Sequence, residues 1–222
     1  LLEKYKSYNQ ITFLNNMENM GFVKTVNKGI KHTKHDIIIL NSDTVVTDYW
    51  IDKLKVAAYS NSKVGSVTTL TNNGTIASVP MFNKDNNLPK GYSIEEFSIL
   101  IDKVSKKLYP VIPTAVGHAM FIKRAVINKI GLFDEVNFGK GYGEEEDYSA
   151  RLIEKGYINI LADDTFIYHH GSTSFKSDKK ELIRKNKRIL KKKHKLHAFR
   201  VKHFLLFDRK VKRICKNIQR CI

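Results

Sequence analysis

Three places in the chain combine residue types at spacings that can do chemistry. The first is Asn41-Ser42-Asp43, directly after the apolar run Ile37-Ile38-Ile39-Leu40. In open α/β sheets, ligands sit at the carboxyl ends of strands. An amide oxygen and a carboxylate two residues apart there can meet a hard cation such as Mg²⁺ or Mn²⁺, which takes oxygen ligands together with substrate phosphates. An Asx turn that simply ends the strand would use the same residues. The second place is Phe138-Gly139-Lys140-Gly141-Tyr142-Gly143, which feeds Glu144-Glu145-Glu146-Asp147. Four consecutive acids repel one another unless a helix N-terminus or a cation offsets them. The helix dipole, with Asp147 facing Arg151 at i+4, accounts for Glu146 and Asp147. It does not account for flexible glycines ahead of the acids. A carboxylate at a mobile loop–helix junction is placed to take the proton from an incoming hydroxyl. The third place is Tyr168-His169-His170-Gly171. Neighbours on a strand point to opposite faces, so one imidazole of the pair can reach a given site. A neutral imidazole complements carboxylate oxygens around Mn²⁺; one core and one surface histidine is the plainer alternative.

These residues need a scaffold, and the periodicity supplies one. Ile11–Leu14 reads as a short strand. Gly21 to Thr33 reads as a helix with Phe22, Val26 and Ile30 on its inner face. Asp36 to Leu40 reads as a strand buried on both faces. Asp48 is positioned to cap a helix over Tyr49–Ser60, with Trp50, Leu54 and Ala57 or Ala58 inward. Val64–Leu70 is strand-like, and Asn72 to Pro89 is loop. Ser93 and Glu96 form a capping box for a helix through Leu108. Ala115–Ile122 reads as a strand and Arg124–Ile130 as a helix closed by Gly131. A helix over Glu144–Lys155 ends at Gly156, and short strands follow at Tyr157–Leu161 and Thr165–His169. Strands alternating with helices predict an α/β fold with a mostly parallel sheet.

Composition narrows the function classes. The 222 residues are 42% hydrophobic and 10% aromatic, so a real core is available. Two cysteines exclude a disulfide scaffold and a four-thiolate zinc site. No apolar run approaches the roughly 18–20 residues of a membrane span, so a reducing cytoplasmic setting is the default. The net charge of +17 is concentrated: residues 175–222 carry +16 and residues 1–174 only +1. The body therefore lacks an electrostatic footing for nucleic acid, and the chain divides into a body, 1–175, and a basic tail, 176–222. The boundary falls near Ser172–Phe175. In the tail, Val201, Phe204, Leu205, Val211, Ile214, Ile218 and Ile222 recur near a helical period. Such a basic amphipathic helix fits an anionic membrane surface at the inner face of the membrane. Packing of the same stripe onto the body is the competing reading.

In this order and at these spacings the three places are similar to those of family 2 glycosyltransferases. Residues 19–44, ending in Ile37-Ile38-Ile39-Leu40-Asn41-Ser42-Asp43-Thr44, resemble the family's nucleotide-sugar half. Gly117-His118, Gly131-Leu132-Phe133-Asp134-Glu135, Gly141 to Asp147 and Tyr168-His169-His170-Gly171 resemble its acceptor half. The likeness is strongest to bacterial enzymes of cell-surface polysaccharide assembly, including rhamnosyltransferase-like members. It implies a GT-A (Rossmann-like) fold and an inverting, Mn²⁺- or Mg²⁺-dependent transfer. The partners implied are a nucleoside-diphosphate sugar and a glycan or lipid-linked acceptor. By position, Asp43 and His169 would hold the metal, and Asn27 and Asn41 would join Asp43 in donor binding. Glu145 would be the catalytic base with Glu144 beside it, and Gly117, His118 and Tyr142 would line the acceptor side. Asn41 and Glu145 differ from the carboxylate and the shorter Asp the family usually has there. The first strands of the family's nucleotide half have no counterpart, so a shortened form is expected. Two rival classes remain: a catalytically inactive carbohydrate-binding or scaffold module, and a nucleic-acid binder working through the tail.

Overall fold

The computed structural model describes residues 2–171 and 176–222. The expected boundary at Ser172–Phe175 lies outside the described residues.

A five-stranded sheet organises the body: β1 (Ile37–Leu40), β3 (Val64–Leu70), β4 (Val111–Ile112), β5 (Ala119–Ile122) and β6 (Ile158–Phe166) lie in the order β1-β5-β3-β6-β4. β3 and β6 pair parallel, while β5 runs antiparallel to both β1 and β3, and β4 antiparallel to β6. Thus β1, β3 and β6 share one direction, and the inserted β5 makes the sheet mixed. The α/β class is as expected. Every residue of β3 is buried, as suits its central position.

Alternation across the pleat builds two layers. Phe121 faces α2 (Trp50–Tyr59), where it packs with Leu54, Ala57, Ala58 and Val67. Met120 and Ile122 face the other way, onto α1 (Phe22–His32), α4 (Arg124–Ile130) and α6 (Glu144–Glu154) through Val23, Ile30, Val126, Tyr148 and Leu152. At the end of the sheet, Leu70, Leu161 and Phe166 pack with Phe97 and Ile101 of α3 (Ile94–Val104). The capping box of α3 forms as read: Ser93 Oγ accepts from Glu96 N–H at 3.2 Å, and Glu96 Oε2 accepts from Ser93 N–H at 2.8 Å.

Several local expectations are revised. Residues 11–14 form no strand and pair with none among the described residues. The inner face of α1 is Val23, Asn27 and Ile30, with Val26 packed beside it; of the expected stripe only Phe22 is exposed. β1 packs on both faces but is only half-buried: Ile37 and Ile39 lie against the α1 side and Ile38 against the α2 side, while Leu40 is exposed. Asp48 does not cap α2; Tyr49 occupies that position with φ 58° and no side-chain cap bond. The two short strands expected over 157–169 are one nine-residue strand, β6, followed by β7 (Tyr168–His169).

The basic segment is three helices, α7 (Lys176–Lys193), α8 (His197–Phe207) and α9 (Lys210–Gln219). They are built into the body. Leu190 joins the core under α1 and α6. Val211, Ile214, Cys215 and Ile218 of α9 join the core around α3, with Cys215 Sγ 3.6 Å from the Ser78 carbonyl. Packing on the body, the competing reading of the α9 stripe, is therefore what the molecule adopts.

Candidate active site

A second, two-stranded sheet creates the front of the site. β2 (Thr44–Val45) pairs antiparallel with β7, setting Thr44 opposite His169, and His170 N–H donates to the Asp43 carbonyl at 2.9 Å. This pairing brings the strand-end carboxylate to the imidazole: Asp43 Oδ2 lies 3.3 Å from His169 Nε2. The His169 backbone is bracketed by Asn72, whose Oδ1 accepts from its N–H at 2.7 Å and whose Nδ2 donates to its carbonyl at 3.0 Å. His169 Nδ1 sits 2.7 Å from the Asn73 carbonyl. A carbonyl only accepts, so Nδ1 carries a proton. In the neutral ring, Nε2 then offers a lone pair to a carboxylate oxygen. Two lone pairs at that distance repel, so the contact requires a cation between them or a second ring proton.

The donor set fits a hard divalent ion shared with substrate. Two ligands at right angles, about 2.1 Å from one ion, lie roughly 3 Å apart, close to the Asp43–His169 separation. Asn41 shares the turn with Asp43. Among the described residues, no group of three His, Cys, Asp or Glu closes into a metal cage. An open set of this kind suits an ion that keeps waters and takes diphosphate oxygens.

His118 links this front to the acid run. Its ring stacks on His169 with centroids 5.9 Å apart and planes 27° from parallel. Its Nε2 is 2.8 Å from Thr69 Oγ1, and Nδ1 is buried with no hydrogen-bond partner. Burial, with His169 adding to it, pushes the His118 pKa down to about 3, so the ring is neutral at physiological pH. The His118 carbonyl accepts from Asn41 N–H at 3.0 Å, which ties the end of β1 to the same point. A Cβ at Gly117 would lie 3.8 Å from Glu145 Oε1, so the glycine backbone borders the carboxylate directly. Asp43, His169, His118, Gly117 and Glu145 thus form one contiguous group.

Glu145 is aimed by the loop before it. Gly141, Tyr142 and Gly143 all have positive φ, 95°, 66° and 114°. That explains the glycines: they supply backbone angles L-residues disfavour. The loop is also held, contrary to the expectation of flexibility. Asn186 of α7, buried, donates to the carbonyls of Gly141 at 2.9 Å and Tyr142 at 2.7 Å.

The four acids then divide. Glu144 and Glu145 each keep a buried Oε2 with no partner. Burial raises both carboxyl pKa values; the charge of Glu145 adds to the rise at Glu144, and that of Glu146 to the rise at Glu145. Glu146 meets His197 Nε2 at 3.3 Å. Asp147, fully buried, takes Arg151 Nε at 2.9 Å, Lys193 Nζ at 2.6 Å and His194 Nε2 at 2.9 Å. His170, the second imidazole of the pair, is exposed beside Tyr168.

One sequence candidate is corrected. Asn27 does not join the group: its Nδ2 donates to the Phe133 carbonyl at 2.9 Å and Glu135 Oε2 at 3.2 Å, and its Oδ1 accepts from Phe133 N–H at 3.1 Å. Both ends of the amide are spent clamping α1 to the 133–135 turn. Tyr142 belongs to the loop that Asn186 holds. The sequence reading missed Thr69, Asn72, Asn73 and Asn186. Thr69 sits at the carboxyl end of β3 and Asn72 and Asn73 follow it, so the strand-end rule applied to Val64–Leu70 would have found them. Asn186 had no signal, because only folding brings α7 to the loop.

The family model for glycosyl transferase family 2 matches residues 1–131. The match ends before Glu145 and His169, whose placement stands on the geometry above. No curated protein matches the chain in sequence. Among solved structures, GalNAc-T7 with UDP, GalNAc and Mn²⁺ is similar over 98% of this chain and 45% of that chain, with TM-score 0.59 and 15% identity. The mannosyltransferase PcManGT from Pyrobaculum calidifontis, in complex with GDP-Man and Mn²⁺, is similar over 97% of this chain and 54% of that chain, with TM-score 0.51 and 15% identity. The fold is therefore of the GT-A type, and the chain spans about half the length of these two structures.

Proposed function

Since the chain belongs to glycosyl transferase family 2, we propose that it moves a sugar from a nucleoside-diphosphate sugar to an acceptor hydroxyl with inversion, in cell-surface polysaccharide assembly, using a glycan or lipid-linked acceptor. The observation that carries this reading is the contiguity of the Asp43–His169 pair with Glu145 through His118 and Gly117. The donor class is supported by the UDP and GDP-Man found in the two similar structures.

Asp43 and His169 would hold Mn²⁺ or Mg²⁺, with Asn41 beside them. Such an ion supplies neutralisation of charge on the departing diphosphate. The transfer is a single displacement. The acceptor oxygen bonds to the anomeric carbon, the bond from that carbon to the diphosphate oxygen breaks, and the acceptor proton goes to Glu145. Its unpartnered oxygen is free to take that proton. Burial raises its pKa, which makes it a stronger base than an exposed carboxylate. Glu144, its carboxyl also raised by burial and by the neighbouring Glu145 charge, holds its proton in a hydrogen bond to Glu145. His118 stays neutral and adds no charge beside the acceptor. Gly117 borders the carboxylate with bare backbone. Residues 1–175 form the catalytic unit, and residues 176–222 brace it through Asn186, Lys193 and His194.

The test is Glu145→Gln. Donor binding measured by calorimetry with Mn²⁺ stays intact, and transfer slows by about 10²–10⁴-fold. Transfer at the original rate removes Glu145 from the role. Asp43→Ala abolishes Mn²⁺-dependent donor binding; unchanged affinity refutes the metal assignment.

A further inference from the structure

We propose that the exposed face of α8 docks on a lipid bilayer containing anionic headgroups. The residues are Leu196, Phe199, His203, Leu206 and Phe207. At about 100° per residue they share one arc of roughly 100° on the helix. Leu196, Phe199, Leu206 and Phe207 are 60%, 65%, 58% and 65% exposed. Phe199, His203 and Phe207 form a ring ladder, with centroids 6.0 and 5.0 Å apart. Large apolar side chains in one exposed row mark an interaction surface, whereas scattered ones do not.

The helix is firmly presented. Its opposite side is anchored by buried Phe204 and by His197 on Glu146, so the row cannot fold back into the body. The sequence had placed the membrane-seeking stripe partly on Val211, Ile214 and Ile218; those side chains are in the core and unavailable.

Charge identifies the partner. Residues 182–207 contain no Asp or Glu. Lys195 and Lys202 are exposed on one flank of the row, and Arg200 lies on the other. A helix lying in the headgroup plane needs this arrangement: apolar rings below, long cationic side chains reaching the phosphates at the sides. Each such cation adds attraction to an anionic leaflet. Single-stranded RNA would also welcome cations beside aromatic rings, but Leu196 and Leu206 offer nothing to a base or a phosphate.

The test reads binding alone, so it is independent of the sugar-transfer reading. The full chain is sedimented with phosphatidylcholine vesicles, with and without phosphatidylglycerol. It binds the anionic vesicles, and binding weakens as salt rises. Phe199→Ser with Phe207→Ser weakens binding by about tenfold or more at an unchanged unfolding temperature, since both rings are exposed. Phe199→Trp, in the same full chain, shifts its fluorescence to the blue on adding anionic vesicles. Failure of the wild-type chain to bind anionic vesicles overturns the proposal. So does equal binding to neutral ones, a double variant that binds as well as wild type, or the absence of the blue shift. Tighter binding to single-stranded RNA than to vesicles, lost in the same double variant, reassigns the face and equally overturns it.

Discussion

Glu144-Glu145 and Glu146-Asp147 share one helical turn, one dipole and nearly one composition, yet they live in opposite environments. The first pair is walled by the loop and Gly117, and each residue keeps a buried oxygen with nothing to bind. The second pair is surrounded by basic side chains, three of them on Asp147 alone. The difference comes from α7 and α8, which deliver Lys193, His194 and His197 to one side of α6 only. An unsatisfied buried carboxylate costs stability, and a satisfied one anchors the fold. The first kind is kept where a proton must be taken, and the second where helices must stay together.

The largest effect should come from breaking the satisfied side. Asp147→Ala leaves Lys193, His194 and Arg151 without their shared anion. Removing one partner of a buried ion pair costs about 3–5 kcal/mol, read as a lower midpoint in denaturant unfolding. Glu145→Gln, two residues away, should leave that midpoint unchanged or raised, because it removes a buried carboxyl whose Oε2 has no partner. Similar losses from both variants would erase the contrast.

Next in size is the brace. Asn186→Ala strands the buried Gly141 carbonyl, at about 1–3 kcal/mol for a group left unsatisfied, and the half-buried Tyr142 carbonyl. It also frees a loop with three consecutive positive φ values, so kcat should fall while donor affinity, set at Asp43 and His169, holds. A variant that loses stability but keeps kcat would show that Asn186 only supports the fold.

Much of this was legible in the sequence because it is local. The capping box at Ser93, the helix stop at Gly131 and the acid-rich start of α6 are each decided by neighbours within a turn. The strand-end rule located Asn41-Ser42-Asp43, and the i+4 pairing of Asp147 with Arg151 forms as read. What stayed hidden depends on distant chain. The family resemblance alone put Asn27 in donor binding, and its clamp, Phe133, is far along the sequence. The tail looked detachable because lysines dominate its composition, while Leu190, Val211, Ile214 and Ile218 fasten it to the body.

The subtlest consequence is that the two sides of the turn have pH dependences of opposite sign. Burial opposes ionisation of Asp147 and Asp134, but hydrogen bonds from Lys193 prevail, so both pKa values are lowered, that of Asp134 to about 2. The unfolded chain then binds more protons than the native one in acid, and their contribution is fully present above about pH 4 and lost as pH falls toward 2. Glu144 and Glu145 are raised, so their contribution is fully present below about pH 4 and declines as pH rises through their native ionisations. Urea unfolding as a function of pH separates the two. Asp134→Asn should flatten the acid limb, and Glu145→Gln should reduce the decline above it. If Glu145→Gln instead steepens that decline, the carboxylate is being stabilised in its charged form, and the difference between the two halves of the turn fails at the residue assigned to take the proton.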